Sequence, residues 1–281
     1  MRSVWHRSVL LALLCAVLIS SGCGTLNPTD GPPSRPLKGS VADAVPKLEK
    51  LSKYGNPHSY AVNGKRYYTL KSSAGYAEKG VASWYGTKFH GRRTSSGEAY
   101  DMNAMTAAHR SLPLPTYVEV RNLRNDRKVI VKVNDRGPFH ENRLIDLSYM
   151  AAVKLGIVAT GTGLVEVRAI DPRAWRDGRA AAASDALNSR GDNRVGQSAA
   201  AAAILYVQVG AFTRYDNAER LKNRLANILF HPVQISPLRE AEQTYYRVRI
   251  GPVESVAETD RLVDRLKQIE VYNASVVVDA T

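Results

Sequence analysis

The sequence predicts a mixed α and β protein of two compact units, a small closed β-barrel followed by a ferredoxin-like βαββαβ unit. Three observations carry that prediction. Between residues 80 and 170, six short runs alternate apolar and polar side chains around a single helix pattern, and closure into a barrel leaves no strand edge bare. Between residues 204 and 281, strand and helix patterns follow in the order βαββαβ, the split arrangement that stacks two helices on one sheet face. Residues 171–203 are mainly Ala, Ser, Arg, Gly and Asp, with the runs Ala180–Ala183 and Ala199–Ala203. Such a segment builds no core and reads as a linker that lets the two units move independently. A chain of 281 residues accommodates two domains with their linkers.

Taken in order, the chain opens with a targeting segment. Arg2 and Arg7 precede the apolar run Val9–Ile19, which is short for a membrane span and of signal-peptide length. It ends in Ile19-Ser20-Ser21-Gly22-Cys23, which resembles the bacterial lipobox, with Ser20 where that motif usually has Leu. Residues 1–23 are therefore expected to be a lipoprotein signal peptide, and Cys23 the lipidated mature N-terminus. Cys15 lies inside the removed run, so Cys23 is the one mature cysteine; no disulfide and no catalytic or zinc-binding thiol is expected. Gly24 follows, with no Asp to retain a lipoprotein at an inner membrane, so the expected location is an outer membrane, facing the periplasm. Residues 24–59 carry Pro28, Pro32, Pro33, Pro36 and Pro46 and read as a linker, with helical amphipathic spacing around Lys47–Lys53. Tyr60–Leu70, with Asn63-Gly64 between alternating stretches, is a hairpin signal.

The formal charge of +13 is unevenly spread: +7 in residues 1–75, +5 in 76–170, +1 in 171–203 and 0 in 204–281. The excess sits mostly in the N-terminal tether, which suits an anionic surface or acidic polymer. The neutral C-terminal unit lacks the positive excess on which nucleic-acid binding draws, so an RNA-binding sheet of the same topology is disfavoured.

In the barrel segment, residues 60–170 counting the hairpin, the expected strands are Val81–Tyr85, Ala104–His109, Tyr117–Asn122, Lys128–Val133, Leu144–Leu147 and Leu164–Ile170. A helix runs from an N-cap at Ser148 to a stop at Gly156, with Met150, Val153 and Leu155 apolar. The organising stretch is Lys132-Val133-Asn134-Asp135-Arg136-Gly137-Pro138-Phe139. Val129, Val131 and Val133 alternate as a half-buried strand and then give way to turn residues. Asp135 thus stands at a strand end on a rigid turn, a place suited to chemistry, although Asp-Arg-Gly-Pro also serves as an ordinary turn.

Upstream, Glu98, Asp101 and His109 lie in polar, glycine-flanked segments. Cleaving a glycosidic bond requires a proton for the leaving oxygen, and a carboxyl group supplies it when burial or a like charge raises its pKa. Glu98, Asp101 and Asp135 on one barrel rim would serve, with His109 orienting one of them; the competing reading makes the acids solvated loop residues. A zinc site from His90, His109 and His140 has no tight histidine spacing behind it, so no metal and no cofactor is expected.

The last unit, residues 204–281, begins with the strand Leu205–Val209. Asp216-x-x-Glu219 and Ser255-x-x-Glu258 are capping-box signals for two helices, and Val233–Leu238, Tyr245–Ile250 and Ala274–Val278 are strands. If Val207, Val209, Val248 and Ile250 face the helices, then Tyr206, Gln208, Phe212, Tyr245, Arg247 and Arg249 face the open side of the sheet. Aromatic rings there can stack on sugar faces, and Gln and Arg can donate hydrogen bonds to sugar substituents.

Several motifs in residues 60–170 resemble the rare lipoprotein A family: Gly80-Val81-Ala82-Ser83-Trp84-Tyr85-Gly86, Thr94-Ser95-Ser96-Gly97-Glu98, Met105-Thr106-Ala107-Ala108-His109-Arg110 and Val133-Asn134-Asp135-Arg136-Gly137-Pro138. The resemblance implies a double-psi β-barrel, shared with expansins and one class of lytic transglycosylase. It maps active-site residues onto Glu98, His109 and Asp135, with Asp101 close by. Tyr206-Val207-Gln208-Val209-Gly210-Ala211-Phe212 and Tyr246-Arg247-Val248-Arg249-Ile250-Gly251-Pro252 are similar to SPOR domains, which bind peptidoglycan strands stripped of stem peptides at the division septum. The implied activity is cleavage between N-acetylmuramic acid and N-acetylglucosamine with formation of a 1,6-anhydro sugar, Asp135 acting as acid and then base. Divisome proteins are the implied protein partners. The alternative is a non-catalytic wall-binding lipoprotein, since a fold does not guarantee turnover.

Overall fold

The computed structural model describes residues 30–35, 41–178, 203–240 and 242–280; Cys23 and most of the segment 171–203 lie outside them. The described residues from Gly31 onward belong to one compact unit.

The hairpin forms as its turn signal predicts. β1 (Ser59–Val62) pairs antiparallel with β2 (Lys65–Tyr68), and Asn63 and Gly64 both take positive φ, as a two-residue hairpin turn requires. Six further strands close into a barrel: β3 (Ala77–Tyr85), β4 (Thr106–His109), β5 (Thr116–Asn122), β6 (Lys128–Asp135), β7 (Ile145–Ser148) and β8 (Gly163–Ala169). Their order around the barrel is β3-β7-β4-β6-β5-β8. The β3–β7 and β4–β6 pairs are parallel, and the remaining pairs are antiparallel. Alternation places Val118, Val120, Val129, Val131, Val133, Val165 and Val167 in one buried core with Ile145 and Leu147.

Helix α1 (Tyr149–Leu155) starts where Ser148 Oγ accepts the Ala151 N–H at 3.2 Å and stops at left-handed Gly156. Met150 and Leu155 are buried, whereas Val153 is exposed and Ala151 and Ala152 take its place against the core. Residues 41–52 are irregular where a helix was expected around Lys47–Lys53. Flanking backbone donors go to the barrel instead: Ala44 N–H to Ile130 O at 3.0 Å and Ser52 N–H to Leu114 O at 2.8 Å.

The C-terminal unit comprises β9 (Ala203–Phe212), α2 (Tyr215–Ala226), β10 (Val233–Glu240), β11 (Gln243–Val253), α3 (Val256–Gln268) and β12 (Ser275–Ala280). Its antiparallel sheet has the order β10-β11-β9-β12, as the βαββαβ arrangement requires. Ser255 Oγ caps α3 by accepting the Glu258 N–H at 3.2 Å, and Glu258 reaches back to the Glu254 N–H. The capping box expected at Asp216 does not form. Arg214 is the N-cap, without a side-chain bond, and Asp216 falls in the first turn, where its charge favours the positive helix end. β10 is an edge strand carrying Pro237, Arg239 and Glu240, and β12, at the other edge, lies against β3.

Independent movement of the two units was expected, but they are in contact. Arg143 reaches Asp260 of α3 through both terminal nitrogens, at 2.7 and 3.1 Å, and Asn142 Nδ2 joins at 3.1 Å. Lys267 pairs with Glu141 at 3.2 Å. Val81, Leu123 and Leu164 of the barrel share an apolar cluster with the core of the C-terminal unit. Each of these charges meets an opposite one, while Asn142 Oδ1 is buried without a hydrogen-bond partner.

Candidate active site

The site grows from the end of β6. β4 pairs with β6 in parallel, but the register moves from Ala107↔Val133 to Ala108↔Asp135, which leaves Asn134 as an extra residue. Such a bulge bends a strand and re-aims the side chains beside it. Asn134 is buried, and Asp135 is half-buried at the rim.

A tight loop spanning residues 93–99 folds over this strand end. The Arg93↔Ala99 bridge closes its base, and the Thr94 N–H reaches Glu98 O at 2.8 Å. Gly97 turns the chain at a φ of 95°, a conformation glycine adopts without a Cβ penalty. The Ser96 N–H, donating to Asn134 O at 3.1 Å, ties loop to strand.

Three donors then meet one oxygen of Asp135. The Ser95 N–H, the Ser95 hydroxyl and the Arg136 N–H each lie 2.7 Å from Oδ1. Glu98, from the same loop as Ser95, receives Lys132 Nζ at 2.7 Å on Oε1 and Asn134 Nδ2 at 2.7 Å on Oε2. Burial raises the Glu98 carboxyl, but the hydrogen bonds from Asn134 and Lys132 outweigh it and hold the group below its ordinary value. Glu98 is thus a carboxylate at neutral pH.

Arg136 braces the turn. Its Nε donates to Gly55 O at 2.8 Å, Nη1 to Leu112 O at 2.6 Å and His109 O at 3.0 Å, and Nη2 to Asn56 Oδ1 at 3.1 Å. One planar, fixed fork therefore joins the N-terminal segment, the end of β4 and the Asp135 loop. Beyond the turn, Phe139 packs among Tyr60 and Tyr67 of the hairpin.

Two of the four acids and bases expected at this rim are turned elsewhere. The His109 ring is 2% exposed. Its Nδ1 accepts the Ser111 and Leu112 N–H groups, so the ring proton is on Nε2, 2.9 Å from the Tyr76 hydroxyl. Tyr76 in turn donates to Glu78. Burial first, then Arg110 and Arg136, push the His109 pKa down to about 3. His109 orients neither carboxylate through its ring; it contributes its backbone carbonyl to Arg136. Asp101 has a side chain 54% exposed and accepts the Asn103 N–H at 2.9 Å, closing its own local turn. It stands near His90, not with Glu98. Among the described residues no three His, Cys, Asp or Glu side chains converge as a metal site.

On the sheet of the C-terminal unit, Gln208 lies opposite Arg249. Arg249 donates to Asp279 Oδ2 at 2.5 Å and stacks 5.8 Å above the Tyr206 ring. Arg247 donates to Ser236 Oγ at 3.2 Å. Tyr206, Gln208, Tyr245, Arg247 and Arg249 share the face away from the helices, although Arg249 is only 4% exposed. Phe212 is the exception. The β9–β11 register slips between Val248↔Gly210 and Arg249↔Gln208, so alternation inverts past Val209. The Phe212 ring turns to the helix side and lies over Gly210, where a Cβ would come within 2.8 Å of it.

Lys132, Asn134, Ser95 and Arg136 escaped the sequence-based choice of site residues. Lys132 and Asn134 carried a usable signal, since they are two apart on the strand face opposite the valines.

The two units, a closed barrel with Glu98 and Asp135 at its rim and a βαββαβ sheet unit, each match a known class, a lytic transglycosylase domain and a SPOR domain. The family described as "Lytic transglycolase" matches residues 77–169 and the SPOR domain matches 201–278. Endolytic peptidoglycan transglycosylase RlpA of Pseudomonas aeruginosa PAO1 is 41% identical over 268 residues, covering 81% of this chain and 78% of that protein. The protein of the same name from Neisseria meningitidis serogroup B is 56% identical over 136 residues, 48% of this chain and 56% of the relative. The crystal structure of the RlpA SPOR domain from Pseudomonas aeruginosa is 38% identical, covering 26% of this chain and 96% of that chain with a TM-score of 0.25. This chain belongs to the RlpA family of endolytic peptidoglycan transglycosylases.

Proposed function

We propose that the enzyme cleaves the bond between N-acetylmuramic acid and N-acetylglucosamine in strands that lack stem peptides, with Asp135 as the acid and base. The observation that carries this reading is the convergence of three donors on Asp135 Oδ1, which fixes the carboxyl and leaves Oδ2 to handle a proton. Protonated Asp135 gives its proton to the glycosidic oxygen as the bond to the muramyl C1 breaks. The resulting carboxylate takes the proton of the muramyl 6-hydroxyl as that oxygen bonds to C1, so no water is consumed. One residue serves in both directions, unlike the two-carboxylate hydrolases. Glu98, ionised beside Lys132 and Asn134, stabilises the oxocarbenium-like charge at C1. His109 and Asp101 support the loops around this pair.

The sheet residues Tyr206, Gln208, Tyr245, Arg247 and Arg249 bind denuded glycan and concentrate the enzyme at the division septum. Phe212 stabilises that sheet from its other face. Lipidation of Cys23 holds the protein at the outer membrane, facing the periplasm, within reach of divisome proteins. The domain limits that go with this reading are 1–23, 24–59, 60–170, 171–203 and 204–281.

Mass spectrometry of products from amidase-treated peptidoglycan tests the chemistry. Wild-type protein is expected to yield 1,6-anhydro ends, and Asp135→Ala none. Reducing ends would make it a hydrolase, and undiminished product from Asp135→Ala would move the acid elsewhere.

A further inference from the structure

The Lys132 ammonium is shared. Its Nζ lies 2.7 Å from Glu98 Oε1 and 3.2 Å from Glu49 Oε2. Glu49 belongs to the irregular N-terminal segment, before the 77–169 stretch that the transglycosylase family matches. Its other oxygen accepts the hydroxyl of Tyr117 from β5. Backbone bonds from Ala44 to β6 and from Ser52 to the Leu114 carbonyl pin the segment on both sides of Glu49. The result is a chain of groups, Tyr117, Glu49, Lys132, Glu98 and Asn134, reaching from the outer segment into the site.

The charge of this chain decides its use. A carboxylate paired with one ammonium is a neutral couple, and the ammonium cancels much of the attraction that the carboxylate exerts on a cation a few ångströms away. With Glu49 added, two carboxylates share one ammonium and the group carries one net negative charge. Burial lowers the Lys132 pKa, but hydrogen bonds to Glu98 and Glu49 outweigh it and raise the group above its ordinary value, so the ammonium persists.

We propose that Glu49 is a positioning residue of the reaction: by sharing Lys132 with Glu98, and itself held by Tyr117, it keeps the site negative where positive charge develops on the sugar. This rests on the reading of Glu98 as the stabiliser of that charge. Glu49 touches no substrate; it acts through Lys132 and Glu98.

The test is steady-state kinetics of the full chain on denuded glycan, with wild type, Glu49→Gln and Glu49→Asp run side by side. Glu49→Gln keeps the shape and one acceptor oxygen, enough for Tyr117 or Lys132 but not both, and removes the charge. Its kcat is expected to fall about three- to tenfold, with KM and melting temperature essentially unchanged, an effect kept modest by partial solvent exposure. Glu49→Asp restores the charge on a shorter arm and is expected to recover part of the loss. A wild-type kcat in Glu49→Gln, a loss confined to KM, or a loss that follows a lowered melting temperature in both variants would overturn the proposal. Absence of anhydro product from the wild type would instead remove the reading beneath it, which separates the two failures.

Discussion

The His109 ring is buried and bonds to neither carboxylate of the candidate site. It is neutral, fixed by two backbone donors on one nitrogen and Tyr76 on the other. Its pKa falls from 6.5 to about 3 in the fold, so the unfolded chain binds the additional proton between those values. Stability is therefore complete above pH 6.5 and declines as pH falls towards 3, by up to about 1.4 kcal/mol per pH unit. Glu98 and Asp260, held below their ordinary 4.5 and 3.8, add acid sensitivity of the same sign only lower down. Buried Asp146, whose carboxyl burial raises above its ordinary value, contributes with the opposite sign, so His109 is isolated by the difference between wild type and a His109 variant over pH 6.5 to 4.5. His109→Gln is expected to be less stable at pH 7 yet to lose less stability between pH 6.5 and 4.5, as urea midpoints would measure; parallel slopes would contradict a buried neutral imidazole. The place of Asp135 and Glu98 at the barrel rim was legible, because acids among turn residues stand out beside a strand pattern. The direction of the His109 ring was not, because it depends on Tyr76 thirty-three residues away.

At the scale of elements, the strands were read correctly wherever alternation was unbroken, as in Val129, Val131 and Val133. Errors arose at bulges and pinned segments. A bulge is set by register with a partner strand distant in sequence, so nothing local announces the extra Asn134 or the slip beyond Val209. The segment around Lys47–Lys53 has helical spacing, but docking on the barrel satisfies backbone groups that a helix would have paired internally. The slip in β9 makes Phe212 a packing residue. Phe212→Ala, at a partly buried ring, is expected to cost the C-terminal unit roughly 1–3 kcal/mol, below the ~3–5 kcal/mol of a fully buried phenylalanine, seen as a lower melting temperature, while glycan affinity below that temperature is retained. A loss of affinity at unchanged stability would return Phe212 to the binding face.

At the scale of the whole molecule, the contact between units is made by Asn142 and Arg143, on the segment that follows Asp135. Burial raises the Asp260 carboxyl, but Arg143 and Asn142 outweigh it and keep it low, as expected of a paired interface acid. Removing one partner leaves Arg143 largely buried with a charge unmatched. Calorimetry of the wild type is expected to show one transition, and Asp260→Ala two, with the C-terminal unit melting first. Two transitions already in the wild type would mean that the contact is too weak to couple the units. Composition marked 171–203 as a linker, and nothing in it revealed this contact, because the ion pair joins residues 117 apart.

The strand edges have a consequence for crowding. A closed barrel offers no edge, and of the two edges in the C-terminal sheet, β12 is set against β3 while β10 carries Pro237, Arg239 and Glu240. Proline has no N–H to give an incoming strand, and the flanking charges repel close stacking. The barrel and the C-terminal sheet therefore offer no ready template for another chain, and when copies crowd together the strand edges left among the described strands are those of the two-stranded β1–β2 sheet.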